Sequence, residues 1–390
     1  MRTGLEGLLD DPQRWLGRAR VGLLANPTTV DRRLVHAVDR LHRHPDIDLR
    51  LLFGPEHGLR GAAQDMVGVG DSRDPVSGLP EVSLYGHTFE SLSPTAAHLA
   101  QVDVLVFDVQ DVGARYYTYA ATMALCMRAA GPAGVKVLVL DRPNPIGGEQ
   151  IEGGGLEPGL ENFCGLYPIP QRHALTVGEL ARLYNRSFGI ACELDVVPCD
   201  GWRRSQYYDE CDLPWVMPSP NMPTVDTAIV YPGMCLLEAT NLSEGRGTTR
   251  PFELVGAPFV DGRALADELR AYDLPGVLFR PCVIEPRFHK FAGQSCGAIQ
   301  LHVTDRRAFR PYWTGLAVLV AVKRLWPDAF GWRTQAYEFR DDVPAIDLLT
   351  GRPAVREAID AGQGLDVVVH LACGGTAVYD AGRSAALLYS

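Results

Sequence analysis

The chain has 390 residues, a length that suggests two domains, and its 46% hydrophobic and 22% charged content supplies ample material for a globular core. A net charge of −10 argues against nucleic acid as a partner, because nucleic-acid-binding proteins present basic patches. Nine scattered cysteines without a C-x-x-C argue against a disulfide framework or zinc ribbon and suit a reducing compartment.

Acidic residues interrupt the first eleven positions, which lack the apolar stretch of a signal peptide. No window approaches the roughly 20 apolar residues that span a bilayer. A cytoplasmic protein with no membrane partner is the expectation, with its oligomeric state left open.

Residues 20–27 read as a buried strand ending in a turn. Residues 31–44 carry Val35, Val38 and Leu41 at helical spacing. Residues 48–53 form a second strand, and a β-α-β unit with short links predicts a parallel sheet. That strand stops at Gly54-Pro55 and is followed by Glu56, His57 and Gly58. In open α/β sheets the carboxyl end of a strand faces the ligand crevice. Glu56 there is a general acid or base, or else belongs to a turn in which it caps a helix or pairs with Arg60.

Residues 62–80 read as a long functional loop and 81–86 as a short strand. Residues 103–110 are apolar on both faces in the middle, as a central parallel strand should be. Beyond them Asp108, Gln110, Asp111, Arg115, Tyr116, Tyr117 and Tyr119 crowd a second strand end. A helix over 117–130 leads to a strand at 135–140, ending in Asp141 and Arg142. Those two either pair with each other, cap neighbouring turns or serve the site.

Thr176 and Glu179 make a capping box that opens a helix to about Ser187, and 194–198 is a further strand. Four prolines within 214–223 demand a shaped loop around Asn221. Residues 224–238 are expected to be helical, kinked or broken at Pro232-Gly233. They lead to a hydroxyl-rich loop with Glu244 and Arg246. From there the pattern is α+β: helices at 262–271 and 309–325, strands at 276–284 and 298–303, short elements at 346–349 and 353–361, and a last strand at 367–371. The predicted architecture is an α/β protein. A Rossmann-like, mostly parallel N-terminal domain spans 1–225, and a smaller α+β domain spans 226–390 and completes a cleft.

Several chemistries are missing. There is no G-x-S-x-G elbow and no H-E-x-x-H. The first strand is not followed by G-x-G-x-x-G, so a nucleotide-dependent enzyme lacks its fingerprint, and the Walker spacing is absent. No metal site and no cofactor are expected. Carboxylates, arginines, tyrosines and amides at strand ends suit acid–base work on a sugar-like substrate.

Five stretches now stand out together. They are Gly54-Pro55-Glu56-His57-Gly58, the run from Phe107 to Tyr119, Asp141-Arg142-Pro143-Asn144-Pro145, Pro218-Ser219-Pro220-Asn221-Met222-Pro223, and the run from Thr240 to Thr248. In this order, from about residue 20 to the C-terminus, the sequence resembles the exo-β-N-acetylmuramidase family of glycoside hydrolases. The resemblance implies a Rossmann-like lobe without a nucleotide and an active site between two lobes. It also implies release of N-acetylmuramic acid from the non-reducing end of peptidoglycan fragments, with muramyl saccharides as the partners. Glu56 matches the family's proposed catalytic acid.

The chemistry agrees, since a glycosidic oxygen leaves only when protonated by a carboxylic acid that keeps its proton. The lactyl carboxylate of the sugar calls for local positive charge, for which Arg115 and Arg246 are the candidates. Asp108, Gln110 and Asn221 are expected to bind hydroxyls or the acetamido group, with His57 and Tyr116 beside them. The second catalytic group is Asp108, Asp111, Glu244 or the substrate's own acetamido group. Ala174 after His173 and Ala239 after Glu238 stand where the family usually has Gly, which bears on substrate fit. The alternative function is a non-catalytic muropeptide- or sugar-binding protein using the same cleft.

Overall fold

A computed structural model describes residues 1–59 and 72–390. The apolar runs of the first half become strands β1 (Arg20–Ala25), β2 (Asp48–Gly54), β3 (Ser72–Arg73), β4 (Pro80–Ser83), β5 (Val104–Asp108), β6 (Lys136–Leu140) and β7 (Leu194–Val197). They lie side by side in the order β3-β4-β2-β1-β5-β6-β7. All pairings are parallel except that of β3 with β4. Leaving out β3, this is the doubly wound order of a Rossmann sheet, with its direction of winding reversing between β1 and β5. β5 is buried along its whole length, which explains why it is apolar on both faces.

In nucleotide-binding sheets the reversal point holds a ligand. Here it is closed by the protein's own polar groups. Thr28 accepts a hydrogen bond from Gln110 N at 2.9 Å, and Arg142 Nε donates to Asp108 Oδ1 at 2.6 Å.

The second half builds a three-stranded antiparallel sheet in the order β8-β10-β9, from β8 (Leu254–Ala257), β9 (Val277–Ile284) and β10 (Cys296–Val303). Helices Val225–Met234, Gly262–Arg270 and Pro311–Leu325 accompany it. Helices Val225–Met234 and Pro311–Leu325 cross at Gly233 and Gly315. A Cβ on Gly233 would stand 1.8 Å from the Pro311 carbonyl oxygen, so only glycine permits this approach. One apolar core runs from β5 through Tyr116 and Tyr231 to Leu316, so the two lobes share an interior. The chain end returns to the first lobe, where Tyr389 donates a 2.5 Å hydrogen bond to Asp141.

Some elements differ from expectation. The helix expected over 31–44 is only Ala37–His42, because Asp31 Oδ1 accepts from Arg33 N and Val35 N and closes a turn first. The helix expected to 238 runs α-helical as Val225–Met234 and then tightens to a 3₁₀ turn, Cys235–Ala239. The strand expected at 367–371 is instead helix Leu365–Ala372. Its valines suggested a strand, but Leu365, Val368, Val369 and Ala372 fall at helical spacing and pack against the core. The loop expected at 62–80 and the pairing of Glu56 with Arg60 lie mostly or wholly outside the described residues.

Candidate active site

After β2 the chain turns within four residues. Gly58 N donates to Pro55 O at 2.8 Å, and His57 and Gly58 have φ of 70° and 76°. A histidine in the left-handed region is uncommon, and such strain gathers where a ligand is held. The fold-back is tight: a Cβ on Gly54 would lie 2.9 Å from Leu59 N. Buried Leu59 anchors the far side. The turn drives Glu56 inward, leaving it 5% exposed. Thr118 Oγ1, just before helix Tyr119–Ala133, donates to Glu56 Oε2 at 2.7 Å. The buried Tyr85 phenol lies near this carboxyl, and burial together with the charges of Glu56 and Glu338 pushes the Tyr85 pKa far up.

Glu56 opens into a cavity between the lobes. From the first lobe His57, Tyr116, Tyr117, Tyr119 and Asn221 line it. Tyr231, Glu238, Arg246, His289, Arg333 and Glu338 face them from the second. Glu238 is fixed by Arg246 Nη1 at 2.8 Å and by the Tyr337 hydroxyl at 2.8 Å.

Behind this wall Glu244 is fully buried, with Lys290 Nζ at 2.9 Å, Arg246 Nη1 at 3.1 Å and His289 Nδ1 at 3.3 Å. Burial alone would raise the Glu244 pKa. Lys290, His289 and Arg246 override it and hold the group well below the usual carboxylate range. Among the described residues no three His, Cys, Asp or Glu side chains are grouped as metal ligands, and no helix is long and apolar enough to cross a membrane.

The structure therefore brings Glu56, His57, Tyr116, Asn221 and Arg246 to one cavity. It does not bring Asp108, Gln110, Arg115 or Glu244 to its lining. Asp108 is spent on Arg142. The Gln110 amide donates to the carbonyls of Asp111 and Pro143, both at 2.8 Å. Arg115 is no carboxylate clamp: it donates to the carbonyls of Gly154, Ile169 and Leu349 and ties the lobes together. Asp111 lies against His173 at 3.4 Å, apart from the cavity. Glu238, His289, Arg333 and Glu338 line the cavity without having been expected as site residues. No motif marks Arg333 or Glu338, and Glu238 drew notice only for the alanine after it.

Two family models match the chain, exo-beta-N-acetylmuramidase NamZ, N-terminal, over residues 21–226 and exo-beta-N-acetylmuramidase NamZ, C-terminal, over 229–389. The chain belongs to the NamZ family. The peptidoglycan beta-N-acetylmuramidase NamZ of Bacillus subtilis (strain 168) is 46% identical over 370 residues, covering 95% of this chain and 87% of that protein. Crystal structures of two DUF1343 family proteins from Bacteroides fragilis NCTC 9343 share the fold. One superposes with a TM-score of 0.89 at 34% identity, the other with 0.77 at 28%, each over 100% of this chain and 99% of its own. For a NamZ family member, the match over both lobes puts the cavity between the parts covered by the two models.

Proposed function

We propose that this protein is a glycosidase that releases N-acetylmuramic acid from the non-reducing end of peptidoglycan fragments, with Glu56 as general acid. The observation that carries this reading is a buried carboxyl that accepts a hydrogen bond from Thr118 and faces the cavity between the lobes, in a chain 46% identical to a muramidase. Protonation of the bridging oxygen is the step a glycosidic bond requires, and a desolvated carboxyl is the usual means. Tyr116, Tyr117 and Tyr119 line the cavity beside Glu56. Glu238, braced by Arg246 and Tyr337, faces from the opposite lobe and supports a role for that carboxylate in stabilising positive charge at the anomeric carbon. We also place its action in the cytoplasm, a reading supported by nine free thiols.

The test is product analysis on a disaccharide with muramic acid at its non-reducing end. The wild type is expected to release N-acetylmuramic acid. Glu56→Gln is expected to lower kcat by about 10²- to 10⁴-fold, the range for loss of a general acid, while keeping its melting temperature. Tight binding of muramyl ligands with no product from the wild type would instead make it a sugar-binding protein.

A further inference from the structure

N-acetylmuramic acid differs from N-acetylglucosamine by a lactyl ether that ends in a carboxylate. A site that selects it needs a cation presented to the sugar with its own charge not already taken up. Four candidates fail on that count. Arg246 divides Nη1 between Glu238 and Glu244. Lys290 spends its ammonium on the carbonyls of Leu237 and Leu242 and on Glu244, all at 2.9 Å. His289 is held by Glu244, and Arg115 is buried on carbonyls.

Arg333 is different. It lines the Glu56 cavity and also an adjoining pocket of Asn241, Lys290 and Trp332. Among the described residues its guanidinium makes one hydrogen bond, from Nη2 to Ala336 O at 2.9 Å, and its buried Nε has no acceptor. No carboxylate among the described residues pairs with it. The backbone beneath is fixed, since Arg333 N donates to Ala239 O at 2.8 Å and Gly331 N to Asn241 Oδ1 at 3.0 Å. The guanidinium carbon sits 5.2 Å from the Tyr337 ring centroid, a stacking that restricts the side chain. The result is a pre-placed arginine fork, the donor geometry that matches a carboxylate.

We propose that Arg333 binds the lactyl carboxylate and sets selectivity for muramic over glucosamine sugars. The proposal rests on the muramidase reading, and the two fail differently. Chromogenic β-glycosides of N-acetylmuramic acid and N-acetylglucosamine would be compared on wild type, Arg333→Met and Arg333→Lys. Arg333→Met is expected to lower kcat/KM on the muramide about 100-fold, mostly through KM, and to leave the glucosaminide within about two-fold. Arg333→Lys is expected to recover part of the loss, because it restores charge without the fork.

Calorimetry with the two free sugars reads the same selectivity without turnover. Only the affinity for N-acetylmuramic acid should fall in Arg333→Met. Equal losses on both sugars, or retained selectivity in the methionine variant, would overturn the assignment. A wild type that binds the sugars selectively but hydrolyses neither would overturn the muramidase reading and leave the Arg333 assignment supported.

Discussion

The Thr118 hydroxyl donates to Glu56 Oε2 at 2.7 Å, joining the turn after β2 to the start of the helix after β5. The two residues come from strands on either side of β1. The bond sets which way the carboxyl points, and leaves it facing the cavity.

Thr118→Val keeps the shape and removes the donor. With Glu56 as the proposed general acid, it is expected to lower kcat about ten-fold with little change in KM, since orientation of such an acid matters most in the transition state. Steady-state kinetics on a chromogenic muramide would check this. An unchanged kcat would mean that this hydrogen bond does not set the orientation of Glu56.

Glu244→Gln leaves Lys290, Arg246 and His289 without their shared anion. Removing one partner of a buried ion network costs about 3–5 kcal/mol, and urea unfolding should show a loss of that order. Because the Glu244 pKa is depressed in the folded protein, its stabilisation is present above the ordinary carboxylate range. It is lost as pH falls through the folded value. The wild type's advantage over the glutamine variant should therefore shrink in acid.

Asp141 has the opposite sign. Burial raises its pKa to about 6, against hydrogen bonds from Tyr389, Gly178 N and Thr176 that favour the ionised form. A raised carboxylate pKa adds stability below the unfolded value and loses it as pH climbs through the folded one. Melting temperatures of wild type and Asp141→Asn, compared from pH 8 down to 4, should diverge in favour of the wild type, mainly between about pH 6 and 4. A constant difference would contradict the shift.

Ala174 sits at φ 52°, buried. An L-residue in the left-handed region costs about 1 kcal/mol that glycine avoids, partly offset by the greater chain entropy of glycine when unfolded. Ala174→Gly is expected to raise the melting temperature by a degree or so and to leave kcat/KM unchanged, because residue 174 does not line the cavity. Calorimetric unfolding and kinetics test both parts. The expectation that this alanine alters substrate fit gives way to a backbone explanation.

The parallel strands were legible because a strand covered on both faces must be apolar on both. The position of Glu56 on the cavity wall was legible because Gly54-Pro55 ends such a strand and leaves the next residues at the sheet's ligand edge. The same rule misassigned Asp108. It too follows an apolar strand, but Arg142, at the end of the neighbouring strand, neutralises it within the crevice. Strand-end position says where a side chain starts, not which partner reaches it first.

What the sequence by itself determined is local: the alternation of strands and helices, the turn that carries Glu56, and the ordered motifs that mark the family. Tertiary structure alone decided which charges remain for a ligand. Arg115, Arg246 and Glu244 all looked available along the chain, yet each is consumed by groups that packing delivers from elsewhere. Arg333 drew no notice, and on the cavity wall its guanidinium meets a backbone carbonyl but no carboxylate among the described residues. Coulombic pairing and desolvation depend on distances in space, and those exist only once the two lobes have closed over a common core.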